Sequence, residues 1–316
     1  MKDIIQNLNI LKKEKNAVVL AHIYQQPEIH DIADFVGDSL ELSRKAAKTK
    51  EEVIVFCGVH FMAETASIIN PQKKVLIPDM QAGCPMADMV NVEKLKEFKS
   101  RFRNPIVMSY VNTSAAVKAE SDICCTSSNA INVVKSVVRN LGNNIDIIFT
   151  PDRNLGRYIQ KVSGIRMNIW DGFCPTHNNF ILPEHVKTIK NKYLKAEILA
   201  HPECRAEVLE LADYVLSTGG MCKRAKESAC KEFIICTETG ILHKLQKDNP
   251  DKKFYAPTDL AVCPNMKKIT LEKVYDVLVN IKNIVCVPDN IRQKAYTPIS
   301  KMLEINAEKV QTDIRH

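Results

Sequence analysis

Short apolar runs alternate with amphipathic stretches of helical length along this chain, and the runs fall into three sets of four. The first set is "AVVLAHIY", "ADFVGDS", "EVIVFCG" and "KVLIPD". The second is "PIVMSYVN", "SDICCTS", "IDIIFT" and "IRMNIWDG"; the third is "KAEILAHPE", "ADYVLST", "EFIICTE" and "KFYAPTD". Between them lie charged segments such as "SLELSRKAAKTKEE", "SSNAINVVKSVVRNLG" and "GGMCKRAKESACKE". Strands alternating with helices in this way predict βαβ units and parallel sheets. The expected fold is α/β, with three pseudo-symmetric αβα sandwich domains around a central cavity, each with a four-stranded, mostly parallel sheet. The boundaries are placed at residues 1–87, 88–177 and 178–316. "VEKLKEFKSR" and "EHVKTIKNKY" read as the first helices of the second and third copies, and "TLEKVYDVLVNI" and "ISKMLEINAEKV" as helices closing the last one. Units of about 90 residues are small, so packing of the three against one another is expected to supply much of the burial.

Other landmarks recur with the strands, as a true internal repeat requires. Each set ends in a Cys-Pro pair, at Cys84, Cys174 and Cys263, with intervals 174 − 84 = 90 and 263 − 174 = 89. His22, Tyr110 and His201 align at the ends of the first strands. Asp34, Asp122 and Asp213 each precede by five residues a hydroxyl, that of Ser39, Ser127 or Thr218.

Composition narrows the class. A chain of 316 residues, 45% hydrophobic, with only 10 Gly and 14 Pro, reads as globular without long linkers. No signal peptide is read at Met1, and no apolar run approaches the roughly 18 residues of a spanning helix, so no membrane is expected. Eleven cysteines without secretion signals predict a reducing, cytoplasmic setting where thiols serve metals or cores, and the odd count leaves no complete pairing. The net charge of +7 comes from scattered lysines without a basic block, which argues against nucleic acid and at most favours an anionic small molecule.

In parallel αβα sheets the functional crevice lies beyond the carboxyl ends of the strands. His22, Tyr24, Ser39, Tyr110, Asn112 and Ser127 fall there, as do His201, Glu203, Ser217 and Thr218. The hydroxyls at helix starts suit phosphate or carboxylate oxygens, and the imidazoles, phenols and carboxylate can exchange protons. Three cysteines at equal intervals, in equivalent loops, suit a shared metal cluster better than a disulfide.

"HIYQQPEIHDIADFVGDSLELSRKA", "FCGVHFMAETA", "PDMQAGCPMAD", "SYVNTSAAVKA", "GFCPTH", "HPE" and "STGGM" resemble the quinolinate synthase (NadA) family, from about His22 to Met266. The resemblance implies condensation of iminoaspartate with dihydroxyacetone phosphate to quinolinate, phosphate and water, in de novo NAD synthesis. It implies a [4Fe-4S] cluster held by Cys84, Cys174 and Cys263, with one iron free to act as a Lewis acid. Substrate contacts are expected from His22, Ser39, Tyr110, Val111, Asn112 and Ser127, and from His201, Pro202, Glu203, Ser217 and Thr218. Catalysis is assigned to Tyr24, Glu203, Tyr110 and His22, with Tyr24 and Glu203 moving protons. An aspartate oxidase or an aspartate dehydrogenase would supply the imine.

Plainer readings compete for individual residues. Cys57, Cys124, Cys125, Cys204, Cys222, Cys230, Cys236 and Cys286 read as small hydrophobes; Cys125 and Cys236 sit in or near strands, and Cys222 and Cys230 in a helical segment. Cys124 and Cys125 are adjacent and point to opposite faces of a strand, so no redox switch is inferred. His177 has no counterpart in the other copies and is assigned a supporting or gating role ahead of ligation. His60 and Glu64, one helical turn apart, read as structural or pocket-lining. Ser39, Ser127 and Thr218 could be simple N-caps. A structural zinc site would gather its ligands in close pairs, and an electron carrier would not need ten polar strand-end residues around its cluster.

Overall fold

The computed structural model describes residues 2–306. Three four-stranded sheets follow one another along the chain. The first comprises β1 (Ala17–His22), β2 (Phe35–Gly37), β3 (Val53–Cys57) and β4 (Lys74–Leu76). The second has β5 (Ile106–Tyr110), β6 (Ile123–Cys125), β7 (Ile147–Thr150) and β8 (Asn168–Ile169); the third has β9 (Glu197–Ala200), β10 (Tyr214–Val215), β11 (Glu232–Cys236) and β12 (Lys253–Tyr255). In each the order is second, first, third, fourth, and every neighbouring pair is parallel. The three αβα units read from the sequence are therefore present, with identical topology.

The central strands β1, β3 and β7 are buried at every position, as expected where helices cover both faces of a parallel sheet. The recurring aspartate has a local task. Asp34, Asp122 and Asp213 each exchange two hydrogen bonds with the start of the first strand. Their carboxylates accept from Val19 N, Val107 N and Ile198 N at 2.7–2.8 Å, and their amides donate to the same residues' carbonyls at 2.9 Å. This staple sets how far the second strand runs, and hence where the following hydroxyl emerges.

Burial is shared between units. One continuous cluster of buried side chains takes in Val19 and Ile54 of the first sheet, Met108 and Phe149 of the second, and Leu199 and Phe233 of the third. Smaller clusters sit around Ile198 and Ile234, and around Val107 and Ile148.

The C-terminal helices differ from the sequence expectation. Helix Leu271–Asn280 packs against helix Lys2–Glu14 and β3, and helix Asp289–Glu304 against helix Ala115–Ala119, β6 and helix His60–Ile69. The former covers the first unit and the latter bridges the first and second, so their main packing is not on the third. The end of the last helix is held from both units: Arg44 donates to Leu303 O and Ile305 O, and Asn129 to Met302 O and Ile305 O. These bonds satisfy carbonyls a helix terminus leaves open. The part of "ISKMLEINAEKV" beyond residue 306 lies outside the described residues. Among the described residues, no helix is long and apolar enough to cross a membrane.

Candidate active site

The carboxyl ends of the three sheets face one cavity. Cys84, Cys174 and Cys263 all line it, one from each sheet's terminal loop. So do His22, Tyr24, Ser39, Tyr110, Asn112, Ser127, His201, Glu203 and Thr218. A larger cleft of about 510 Å³ is lined by Arg153, Arg157, Lys161 and Arg205 with Glu207 and Glu210; it holds no cysteine and no strand-end residue of this set, so the chemistry is assigned to the smaller cavity.

Three expected residues stand back from the cavity wall. Val111 is buried and its amide extends the β5–β6 pairing by donating to Cys125 O at 2.8 Å. Pro202 is buried. Ser217 is the N-cap of helix Thr218–Glu227, accepting from Gly220 N at 3.2 Å. Helix Ser39–Lys48 likewise begins one residue earlier than a Ser39 cap would require: Asp38 accepts from Leu40 N and Glu41 N in a capping box. The hydroxyls of Ser39 and Thr218 thus sit in the first helical turn, released from capping. Ser127 lies two residues before the Asn129 N-cap of helix Ala130–Leu141, and its Oγ is 3.2 Å from His201 Nε2.

A chain of short contacts runs across the cavity. Tyr24 OH is 2.5 Å from Thr237 Oγ1, which is 2.8 Å from His177 Nε2. His177 Nδ1 is 2.9 Å from Glu203 Oε2 and 3.2 Å from Cys174 Sγ. Tyr110 OH donates to Glu203 Oε1 at 2.5 Å. The Glu203 carbonyl accepts from Asn154 Nδ2 at 2.9 Å, which anchors the residue from the second unit. His177 is thus the link between the two groups the sequence named for proton movement. Thr237 was not legible as a site residue, because it ends the third strand of its set, where the copies share no residue type. Asp38, Thr126, Thr176 and Glu238 also line the cavity without having been expected. His60 Nδ1 lies 3.9 Å from Glu64, whose other oxygen accepts from Ala115 N; this pair starts a helix of the second unit.

Burial sets the protonation states. It brings His22 and His201 down to about 3, so both imidazoles are neutral near pH 7. It pushes the Tyr24 and Tyr110 phenols up, reinforced by the charge of Glu203. For Glu203 burial works in the raising direction, but His177, His201 and the Tyr110 hydrogen bond outweigh it and hold the carboxyl at about 2. Burial raises Asp38 to about 6, with Glu41 adding to it. Among these groups the cavity offers Glu203 as a buried carboxylate base, two phenol donors and two neutral imidazoles, with the carboxyl groups of Asp38 and Glu238 also on its wall.

Burial also raises the three thiols, Cys84 to about 12; Cys84 feels the charge of Cys263, and Cys174 that of both the others. All eleven cysteines are free. Partly buried, unpaired thiols gathered at one cavity are suited to a metal, which would take them as thiolates. Cys174, His177 and Glu203 additionally bring ligand atoms within 4.8 Å of one another. Of the other cysteines, Cys57, Cys124, Cys125, Cys204 and Cys236 are buried, Cys222 and Cys230 partly so, and Cys286 is exposed. Cys230 lies past the end of helix Thr218–Glu227, outside the helical segment expected for it.

The family described as "Quinolinate synthetase A protein" matches residues 6–304. The chain is 50% identical over 303 residues to the quinolinate synthase of Desulforudis audaxviator, covering 96% of this chain and 98% of that protein. It is 50% identical to the quinolinate synthase of Methanosarcina barkeri, with the same coverage. Quinolinate synthase 2 of Methanosarcina acetivorans is also 50% identical, covering 96% of both chains. With the match running through all three sheets and every cysteine loop of the cavity, the chain belongs to the quinolinate synthase family of enzymes.

Proposed function

We propose that the chain condenses iminoaspartate with dihydroxyacetone phosphate to give quinolinate, phosphate and water in de novo NAD biosynthesis, in the reducing cytoplasm, with a [4Fe-4S] cluster held by Cys84, Cys174 and Cys263. The observation that carries this reading is the meeting of three thiols, from equivalent loops of three sheets, in one cavity walled by strand-end hydroxyls, imidazoles and a buried carboxylate. A cubane bound by three thiolates keeps one iron without a protein ligand. The smaller set of Cys174, His177 and Glu203 fits a single ion less well, since His177 and Glu203 already satisfy each other at 2.9 Å and Cys84 and Cys263 would have no task.

The reaction balances without an oxidant: the two substrates together contain the atoms of quinolinic acid, phosphoric acid and two waters. When bound, the cluster supplies a Lewis acid that polarises a substrate oxygen. The protein's part is orientation and proton movement. Ser39 and Thr218, freed from capping at two helix starts, face the cavity with Ser127 as donors for phosphate or carboxylate oxygens. The side-chain oxygen of Asn112 is buried with no partner among the described residues and supports the same role. Neutral His22 and His201 donate to a carboxylate without placing a cation beside the thiolates. Glu203, ionised at neutral pH, accepts the proton that isomerisation of the triose must remove. Tyr24 and Tyr110, protonated, can return protons to departing hydroxyls, with Thr237 and His177 linking Tyr24 to Glu203.

Anaerobic reconstitution with iron and sulfide, followed by visible absorption, electron paramagnetic resonance and a quinolinate assay, tests the reading. The imine would be generated in place by an aspartate oxidase or an aspartate dehydrogenase. A brown protein that forms quinolinate is expected. A colourless, zinc-loaded protein overturns the cluster, and a brown protein that makes no quinolinate points to an electron or cluster carrier.

A further inference from the structure

The three cysteine loops are anchored alike at one point and differently at the next. In each unit an amide just beyond the third strand donates to the carbonyl two residues before the cysteine: His60 N to Ala82 O at 2.7 Å, Arg153 N to Gly172 O at 2.7 Å, and Thr239 N to Ala261 O at 2.9 Å. The residues immediately preceding these donors are Val59, Asp152 and Glu238. Both carboxylates are fully buried. Asp152 accepts from Cys174 N at 3.1 Å through Oδ2 while its other oxygen caps Leu155 N at 2.7 Å. Glu238 accepts from Cys263 N at 3.0 Å through Oε1 and from Gly240 N at 2.7 Å through Oε2, and Lys267 Nζ lies 3.0 Å from Oε1. Val59 is a buried hydrocarbon, and no acceptor faces Cys84 N among the described residues.

We propose that Asp152 and Glu238 are positioning residues that fix the Cys174 and Cys263 loops in their thiol-presenting shape, leaving the Cys84 loop as the adjustable third arm. This deepens the reading of the three cysteines as ligands and rests on it. A buried carboxyl group that bridges the cysteine amide and a second amide ties two segments together through one side chain, and losing either bond leaves a buried donor without a partner. Capping alone does not account for Asp152, because one oxygen suffices for Leu155 and the other is turned to Cys174. Glu238 caps no helix through its side chain, yet makes the equivalent bond. The consequence is an order of events: Cys174 and Cys263 hold a cluster first, and Cys84 lets go first.

The test uses the full-length reconstituted protein and the variants Asp152→Asn and Glu238→Gln, which keep size but lose one acceptor. Three readouts apply: amide hydrogen exchange at the three cysteines, the rate of colour loss to a chelator, and the order in which iodoacetamide labels the cysteines as iron leaves. Asp152→Asn is expected to speed exchange at Cys174 by about tenfold or more without affecting Cys263, and Glu238→Gln to do the reverse. Both should speed colour loss by about tenfold, and in the unaltered protein Cys84 should exchange fastest and be labelled first. Should Asp152→Asn unfold through loss of its helix cap, Glu238→Gln decides alone. Unchanged exchange in the folded variants, or protection of Cys84 equal to that of the other two, overturns the proposal. If the unaltered protein takes up no cluster, the ligand reading itself falls, while the exchange measurements still judge the braces.

Discussion

Glu203→Gln removes the one ionised carboxylate that touches both a phenol and an imidazole in the cavity. The structure sets the direction of the effect. Against burial, His177 and the Tyr110 hydroxyl hold the Glu203 carboxyl well below its ordinary value, so at neutral pH it stands ionised as a proton acceptor, a capacity an amide in its place lacks altogether. The hydrogen bond from Tyr110 OH and the His177 contact are tuned to a carboxylate, so an amide of the same shape must turn its NH2 toward one of them. Loss of a general base usually lowers turnover by about 10²–10⁴, equivalent to roughly 3–5 kcal/mol of barrier. Turnover should therefore drop by at least about 100-fold, with cluster content unchanged, because Glu203 is not among the three thiol ligands. The assay is anaerobic quinolinate formation with the imine generated in place, normalised to iron and sulfide per chain. A fully loaded Glu203→Gln protein turning over within about threefold of the original would refute the assignment of Glu203 as base.

Other outcomes follow from the same geometry. Cys84→Ser, Cys174→Ser and Cys263→Ser should each abolish the cluster's visible absorption and quinolinate formation while circular dichroism stays that of a folded protein; full colour in any one removes that residue as a ligand. Tyr24→Phe should lower turnover by about 10² or more while leaving cluster absorption intact, read in the same assay; normal turnover would clear Tyr24 of a proton-transfer role. Asp213→Ala should lose about 1.5–3 kcal/mol in urea unfolding through the missing bond to Ile198 N. In the metal-free protein, stability should fall on acidification below about pH 6.5. Burial keeps His22 and His201 near 3 and His30 near 4, so the unfolded chain takes up three protons there that the folded chain refuses. Asp38, raised to about 6, and Asp152, raised well above its ordinary value, oppose them by about two protons, leaving a slope of roughly 1.4 kcal/mol per pH unit near pH 5; urea midpoints that do not change between pH 7 and 5 would count against these buried neutral states.

What the chain disclosed of itself follows from which features the repeat carries. The strands were legible because Val and Ile runs recur at one interval, and the first-strand ends because His22, Tyr110 and His201 are chemically conspicuous in register. The third-strand ends were opaque: Val59, Asp152 and Glu238 occupy one position but share no chemistry, so neither the Thr237 link nor the two braces could be read off. Cap positions slipped by one residue because Asp38 and Ser217 are as good N-caps as the hydroxyls that follow them. The partner of the last helix was hidden for another reason. An amphipathic helix shows that it packs, not on what, and the Arg44 and Asn129 side chains that receive its end are more than 170 residues distant.

An anaerobic crystal structure of the reconstituted protein, with iron located by anomalous scattering, decides whether three remote thiols share one cluster. The expected result is a cube bound by Cys84, Cys174 and Cys263, its fourth iron facing Tyr24 and Glu203 without a protein ligand. Iron confined to Cys174, His177 and Glu203, with Cys84 and Cys263 unbound, would overturn the assignment.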